Sequence, residues 1–291
     1  MGSRSEHLNQ IGIVGLGLIG GSLGLDLQRL GYQVYGLVNR RSTLERARER
    51  GLAQSIDTNP SILSNCSIII LALPLSQIIN PPEELVKALP ENAVITDVGS
   101  VKAPVLQTWE KLHAKFVASH PMAGTHQAGV EAGQHGLFRG HPWVATPSKN
   151  TEPEALETVR KLALELGSQW MTADADKHDK AVALISHVPI LVSAALLGTA
   201  IEEEKEEENT DITLAQRLAS NGFRDTSRVG GGNPILGVDM VASNTKAIVD
   251  VLETYQETLE KIKQMIYSKE WEKLYQELNS SQEMRKEFIK E

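Results

Sequence analysis

Residues Ile11–Val14 form a short apolar, β-branched run that ends in Gly15-Leu16-Gly17-Leu18-Ile19-Gly20, where an apolar helical pattern begins. Few local features constrain a fold so tightly. The first glycine permits the tight turn out of a strand, the second lets a pyrophosphate approach the backbone, and the third lets the helix pack closely. The helix N-terminus then offers unpaired N–H groups and the positive end of its dipole to the phosphates. Glycine-rich turns also serve structure alone, but here strand, glycines and helix come in order and a second strand, Gln33–Val38, follows. The spacing predicts a dinucleotide site at Gly15, Gly17, Leu18, Ile19 and Gly20.

The alternation continues. Ser67–Leu73, Ala93–Val98, Phe116–Ser119 and Trp143–Thr146 read as strands, and Ser168–Thr172 follows a helix expected over Glu152–Leu166. Runs as apolar as Ile68-Ile69-Ile70-Leu71 suit strands buried on both faces. The pattern predicts an α/β domain over 11–173, a doubly wound parallel sheet covered by helices. From Asp174 helical periodicity takes over. Ile248, Leu252, Tyr255, Leu259, Ile262 and Ile266 form one seam, and Trp271, Leu274 and Leu278 continue it after a break. Residues 174–291 are therefore expected to be all-α. The Glu202–Glu208 run reads as a solvated helix end or loop.

The end of the second strand bears on the cofactor. NAD enzymes usually place an acid there for the ribose 2′-hydroxyl. This chain reads Asn39-Arg40-Arg41-Ser42-Thr43, with no acid before Glu45. Two guanidinium forks and two hydroxyls suit a 2′-phosphate, so NADP is expected, held by Asn39, Arg40, Arg41 and Ser42. The plainer alternative is a pair of arginines that only solvates a helix start.

Other motifs lie at strand ends or inside the helical part. Asp97-Val98-Gly99-Ser100-Val101-Lys102 closes one strand, and Ser119-His120-Pro121-Met122-Ala123-Gly124-Thr125 closes another. Doubly wound folds place ligands at such ends. A histidine at His120 is well placed for proton transfer, although alone it serves structure as readily. Ile185-Ser186-His187-Val188-Pro189 puts a polar pair and a proline inside an apolar helix, where both are costly. Gly222-Phe223-Arg224-Asp225-Thr226-Ser227-Arg228 supplies arginines that suit a substrate carboxylate, or else an Arg224–Asp225 surface network.

The glycine motif, DVGSVK, SHPMAGT, LFRGHPWVATP, ISHVP and GFRDTSRVGGGNP, in that order, resemble the prephenate/arogenate dehydrogenase family over nearly the whole chain from Ile11. The last motif is especially similar to cyanobacterial arogenate dehydrogenases. The resemblance implies a Rossmann-type nucleotide-binding domain, an all-α domain through which two subunits pair, and an active site between the two domains. It implies that His120 is the catalytic histidine at the substrate's ring hydroxyl, with Ser100 beside it. Thr125 contacts substrate and Arg224 grips the ring carboxylate; His187 is taken as a further substrate contact. Two departures stand out. Ile190 occupies a position where prephenate-using members often carry a second histidine, and His126 replaces a common acid.

The implied reaction is an oxidative decarboxylation in tyrosine biosynthesis, of arogenate to tyrosine or alternatively of prephenate to 4-hydroxyphenylpyruvate. It asks for positioning and one base, a contribution of ~10²–10⁴-fold, and for no metal; no Cys or His cluster shows zinc spacing. A β-hydroxyacid dehydrogenase would rely on a lysine in the helical part and leave the Ser/His/Arg set unused. No tyrosine has a lysine four residues on, which excludes the short-chain dehydrogenase signature. A non-catalytic NADP-sensing regulator would leave His120 dispensable.

Charge and composition narrow the partners. With 29 Lys plus Arg against 37 Asp plus Glu, the net charge of -8 disfavours nucleic acid. The stretch Ala181–Ile201 is apolar enough to suggest a membrane span, but His187 and Pro189 argue for a helix buried at a domain or subunit core. Together with the long seam it predicts a homodimer. MGSRSEHLNQ has no apolar core of the kind a signal peptide needs and reads as a native tail or cloning remnant, and Cys66 alone permits no internal disulfide. A cytoplasmic enzyme with a small-molecule substrate is expected.

Overall fold

The computed structural model describes residues 9–125, 127–204 and 214–288. Residues 1–8 of the N-terminal tail, His126 and residues 205–208 of the acidic run lie outside them. Strand β1 (Gln10–Val14) leads into α1 (Leu18–Arg29), β2 (Gln33–Leu37), α2 (Arg41–Glu49) and the short β3 (Ser55–Asp57). Then come β4 (Ile68–Leu71), α3 (Leu75–Ile79), α4 (Glu83–Ala88), β5 (Val94–Asp97), α5 (Ala103–Leu112) and β6 (Phe116–Val117). These six strands form one parallel sheet in the order β3-β2-β1-β4-β5-β6. The order reverses at β1, which is where such sheets bind nucleotides.

Alternate residues of each strand enter opposite cores. Ile11, Ile13, Val34, Ile68 and Ile70 pack on one face with Leu23 and Leu27 of α1. Val14, Leu37, Ile69, Leu71 and Ile95 pack on the other with Val105 and Trp109 of α5. Coverage on both sides explains why Ile68–Leu71 is apolar without alternation. Each such side chain contributes about 1.5–3 kcal/mol on burial.

Two expectations for the sheet need correction. Ser55–Asp57 is a strand at the sheet edge that its polar ends concealed. The run Phe116–Ser119 does not continue one parallel sheet but divides between two. After β6 pairs with Ile95 and Thr96, the Ser119 N–H turns to the Asp97 carboxylate (3.1 Å), which ends the ladder. Strand β7 (Ser119–Pro121) then joins a second sheet with β8 (Pro142–Ala145) and β9 (Gln169–Thr172). It pairs antiparallel to β8, His120 opposite Val144, while β8 and β9 run parallel. Helix α6 (Pro153–Glu165) lies between β8 and β9 in sequence.

The helical part begins with α7 (Ala175–Val182) and α8 (Val188–Glu204). Between them Ala183–His187 forms a π-turn, with the Val188 N–H bonded to Ala183 five residues back. ISHVP is thus a break rather than the interior of a regular helix. Pro189 cannot donate to the preceding turn, and a widened turn is one way for a helix to absorb that loss. Ala175–Ile201 is long and apolar enough by composition to cross a membrane, yet it carries buried His178, Asp179 and His187. Helices α9 (Leu214–Leu218), α10 (Asn221–Ser227) and α11 (Pro234–Ser243) follow. The seam forms α12 (Thr245–Tyr267), and α13 (Trp271–Phe288) completes the described chain. By compactness the chain divides into Met1–Asn244 and Thr245–Glu291.

Candidate active site

The glycine turn is built for a nucleotide. Gly15 has φ +95°, and a Cβ there would meet the Ala72 carbonyl oxygen at 2.4 Å. A Cβ on Gly20 would meet the Gly15 oxygen at 1.9 Å, so the helix can approach the turn only with glycine at that position. Gly17, the N-cap of α1, faces open space, has no side-chain cap, and is followed by a first turn without an acid. Leu18, Ile19 and Gly20 therefore hold free N–H groups where a pyrophosphate would lie. Asn39, Arg40, Arg41 and Ser42 are exposed at the start of α2, and among the described residues no carboxylate pairs with either arginine. The glycine turn fits a dinucleotide.

A second cluster gathers at the ends of β5 and β7. Asp97 and Lys102 are fully buried and form an ion pair. Asp97 also accepts from the N–H groups of Gly99 (2.8 Å) and Ser119 (3.1 Å), while Lys102 Nζ donates to the Ser119 carbonyl (2.8 Å). Burial pushes the Asp97 carboxyl up and the Lys102 ammonium down, and each charge opposes the other's shift. The loop between them carries Ser100, which is half-buried.

His120 leaves β7 beside this pair. Its Nδ1 lies 3.0 Å from His178 Nε2, with the two rings edge-on at 77°. His178 Nδ1 lies 2.8 Å from Asp179 Oδ1. That carboxylate caps α5: Oδ1 accepts from the Lys102 N–H (2.7 Å) and Oδ2 from the Ala103 N–H (2.8 Å). The Ser100 loop and His120 are thus held in register by one acid. Desolvation above all holds His120 well below the ordinary histidine range, and repulsion from Lys102, His178 and His187 adds to it. His120 is neutral at neutral pH, as a base must be.

His187 closes the π-turn and is buried. Asn244 donates from Nδ2 to the Asp179 carbonyl (2.8 Å), and the same atom lies 3.2 Å from His187 Nδ1. Nδ1 is therefore the acceptor, which leaves Nε2–H buried without a partner. Burial lowers His187 to about 4. Among the described residues, no hydrogen bond joins Thr125 or Arg224 to this cluster. Thr125 is exposed, its hydroxyl accepting from the Gln127 N–H. The Arg224 side chain is 72% exposed, its Nε 3.5 Å from the Asp225 carboxylate.

Sequence reasoning passed over His178, Asp179 and Asn244. The only signal was a His-Asp pair nine residues before His187, and adjacent residues on a helix normally face apart.

Comparisons with known proteins agree on the chemistry. Residues 23–172 match "Prephenate dehydrogenase, nucleotide-binding domain" and residues 174–280 match "Prephenate dehydrogenase, dimerization domain". The chain is 29% identical over 280 residues to the cyclohexadienyl dehydrogenase of Zymomonas mobilis, covering 94% of both proteins. The Synechocystis arogenate dehydrogenase structure is 40% identical, with TM-score 0.82 over 96% of this chain and 100% of that one. A prephenate dehydrogenase from A. aeolicus, in complex with hydroxyphenyl propionate and NAD+, is 27% identical, with TM-score 0.88 over 97% and 98%. With both parts matched in order, the chain belongs to the prephenate dehydrogenase family, oxidoreductases of tyrosine biosynthesis whose members include arogenate and cyclohexadienyl dehydrogenases.

Proposed function

We propose that this chain is an NADP-dependent arogenate dehydrogenase, with residues 11–173 as the NADP-binding domain and 174–291 as the substrate-binding and dimerisation domain. The observation that carries the chemistry is a half-buried, neutral His120 on β7, beside the Ser100 loop. Support for arogenate comes from the 40% identity to the Synechocystis enzyme and from Ile190, which offers no donor to a keto-acid side chain. Support for NADP comes from Arg40 and Arg41, exposed and free of carboxylate partners among the described residues.

Gly15, Gly17, Leu18, Ile19, Gly20, Asn39, Arg40, Arg41 and Ser42 would hold the nicotinamide cofactor, which would supply the hydride acceptor for C4 of the substrate. His120 takes the proton of the C4 hydroxyl, and Ser100 bonds the same oxygen. Arg224 holds the ring carboxylate, which leaves as carbon dioxide while its bonding pair completes the aromatic ring. Thr125 and His187 contact the remainder of the substrate. The working enzyme is a cytoplasmic homodimer, a reading supported by the exposed apolar side chains of the helical part.

A second reading is prephenate oxidation with NAD, supported by the 27% identical A. aeolicus enzyme that carries NAD+. An assay of reduced cofactor with each substrate, each tried with NADP and NAD, separates the two. The expected result is the highest kcat/KM with arogenate and NADP. A preference for prephenate overturns the substrate, and a preference for NAD overturns the cofactor.

A further inference from the structure

We infer that His178 and Asp179 are a positioning pair that fixes His120 as the Nδ1–H tautomer and so delivers its Nε2 lone pair to the substrate. This deepens the proposed function and rests on His120 as the base. The inference starts at Asp179. Both of its oxygens accept from backbone N–H groups at the start of α5, so it faces His178 as a carboxylate with nothing to donate. His178 Nδ1, 2.8 Å from Oδ1, must then carry a proton. A neutral His178 is left with a lone pair on Nε2, and His120 Nδ1 at 3.0 Å must supply the N–H between them. Its remaining nitrogen, Nε2, is the free base.

The chain of hydrogen bonds also serves the charged state. When His120 Nε2 takes the hydroxyl proton, the imidazolium donates more strongly through Nδ1 to His178, which in turn leans on the Asp179 carboxylate. No proton has to cross to His178. The charges facing the ring come from several elements: Asp97 on β5, Lys102 at the start of α5, His178 and Asp179 on α7, and His187 in the π-turn. Lys102 opposes a resting proton on the His120–His178 pair. Asp179 rewards the positive charge only through the His178 relay.

Position matters as much as charge. His178 and Asp179 are neighbours on one helix, yet both are buried and turn the same way. The carboxylate that orients His178 is the one that grips Lys102 and Ala103, two and three residues after Ser100. Base and hydroxyl partner are therefore aligned by a single side chain.

The test is the ¹⁵N spectrum of histidine-labelled enzyme with NADP bound and no substrate, near pH 7.5, with His120 assigned by its loss in His120→Asn. The expected result is a protonated Nδ1 and a bare Nε2 on His120. In His178→Phe the ring space is kept but the acceptor is lost, so His120 should move toward the Nε2–H form that free histidines favour in water. The same variant should lose ~10–10² in kcat with KM within about threefold, and His178→Gln, whose amide oxygen can accept, should recover part of the loss. A His120 carrying its proton on Nε2 in the unmutated enzyme overturns the inference, and so does a His178→Phe enzyme with unchanged kcat. If the Phe variant fails to fold, the unmutated spectrum and the Gln variant still decide. The spectrum is read without substrate, so failure of the arogenate assignment leaves it standing, and its own failure leaves that assignment untouched.

Discussion

The sheet-bearing half of this chain and its helical half solve the same packing problem with different success. In the six-stranded sheet the apolar strands are covered on both faces, and the Asp97 carboxylate at the end of β5 is paired. In the helical part large apolar side chains face outward: Ile235 is 77% exposed and Val238 68%, both on α11. Backbone chemistry differs in the same way. Among the described residues, every positive-φ position from Gly15 to Gly167 is a glycine, whereas Lys269, between α12 and α13, adopts φ 56° with a side chain. The first half buries its strands, with Asp179 of α7 capping α5 and Asp239 of α11 bonding Ser76 at the start of α3, and the second leaves an apolar face outward. The base sits on the first half and its buried supports, His178 and Asp179, at the start of the second, while the exposed helices beyond them can tolerate adjustment.

That division can be broken by kinetics, where the largest effect is expected. His120→Asn keeps a donor and similar bulk but is no base near neutrality. It should lose ~10²–10⁴-fold in kcat while NADP binding is retained. Arg224→Ala, on exposed α10, should act mainly on KM, because a carboxylate clamp serves ground and transition states alike. The pH profile carries a sign. Desolvation and nearby cations lower His120, so it remains neutral below the usual histidine midpoint of ~6.5. The acid limb of kcat/KM should therefore lie below that value and vanish in His120→Asn. A limb at or above it, or equal effects of both substitutions on KM, would erase the contrast.

The cofactor prediction is next in size. Replacing Arg40 and Arg41 together with alanine removes both guanidinium forks from the start of α2 and should weaken NADP binding by ~10²-fold. NAD binding, measured on the same variant by fluorescence titration, should change little. Equal losses for both nucleotides would mean that the arginines serve the helix start rather than a 2′-phosphate.

Legibility in the sequence follows the same boundary. Strand periodicity and Gly15–Gly20 carried the parallel sheet because burial on both faces leaves a local mark on every strand. Ser55–Asp57 escaped because an edge strand of three residues, two of them polar and exposed, carries no such mark. The division at Ala118 escaped because it depends on Asp97, a residue 22 positions before Ser119. His120 was legible from its motif, but its supports were not: His178 and Asp179 act through long-range contacts that no local spacing reports. In the helical part the seam gave α12 nearly to its ends and the start of α13, stopping at Leu278 where the helix runs on to Phe288, since one apolar stripe defines a helix whatever covers it. The π-turn at Ala183–His187 was visible only as an expensive polar pair before Pro189.

The exposed helical face supplies a test of intermediate size. If α11 packs against a second copy, Val238→Asp places a charge in an apolar interface and should raise the dimer dissociation constant by ~10-fold or more, read by sedimentation at several concentrations. Lys111→Asp, at an exposed helix end in the sheet-bearing half, should leave it unchanged. A monomeric parent at micromolar concentration would remove the interface altogether.

The smallest effect addresses the backbone contrast directly. A side chain in the left-handed region costs roughly 1–2 kcal/mol relative to glycine, part of which glycine gives back through its freer unfolded chain. Lys269 ends α12 there, with the Lys269 N–H bonded to Ile266 and the Glu270 N–H to Met265, the pattern in which helix ends favour glycine. Lys269→Gly should therefore stabilise the protein by about 1 kcal/mol in urea unfolding at fixed protomer concentration, because dimerisation would otherwise shift the midpoint. Gly167, at φ 80° after α6, provides the mirror experiment. A Cβ there meets Arg139 at no less than 3.4 Å, so Gly167→Ala tests backbone strain with little steric clash and should cost about 1 kcal/mol. If Lys269→Gly destabilises instead, the lysine stem contributes packing that outweighs its strain. The hairpin would then be held by its side chains rather than by its turn, which would sharpen the contrast with the glycine-built half.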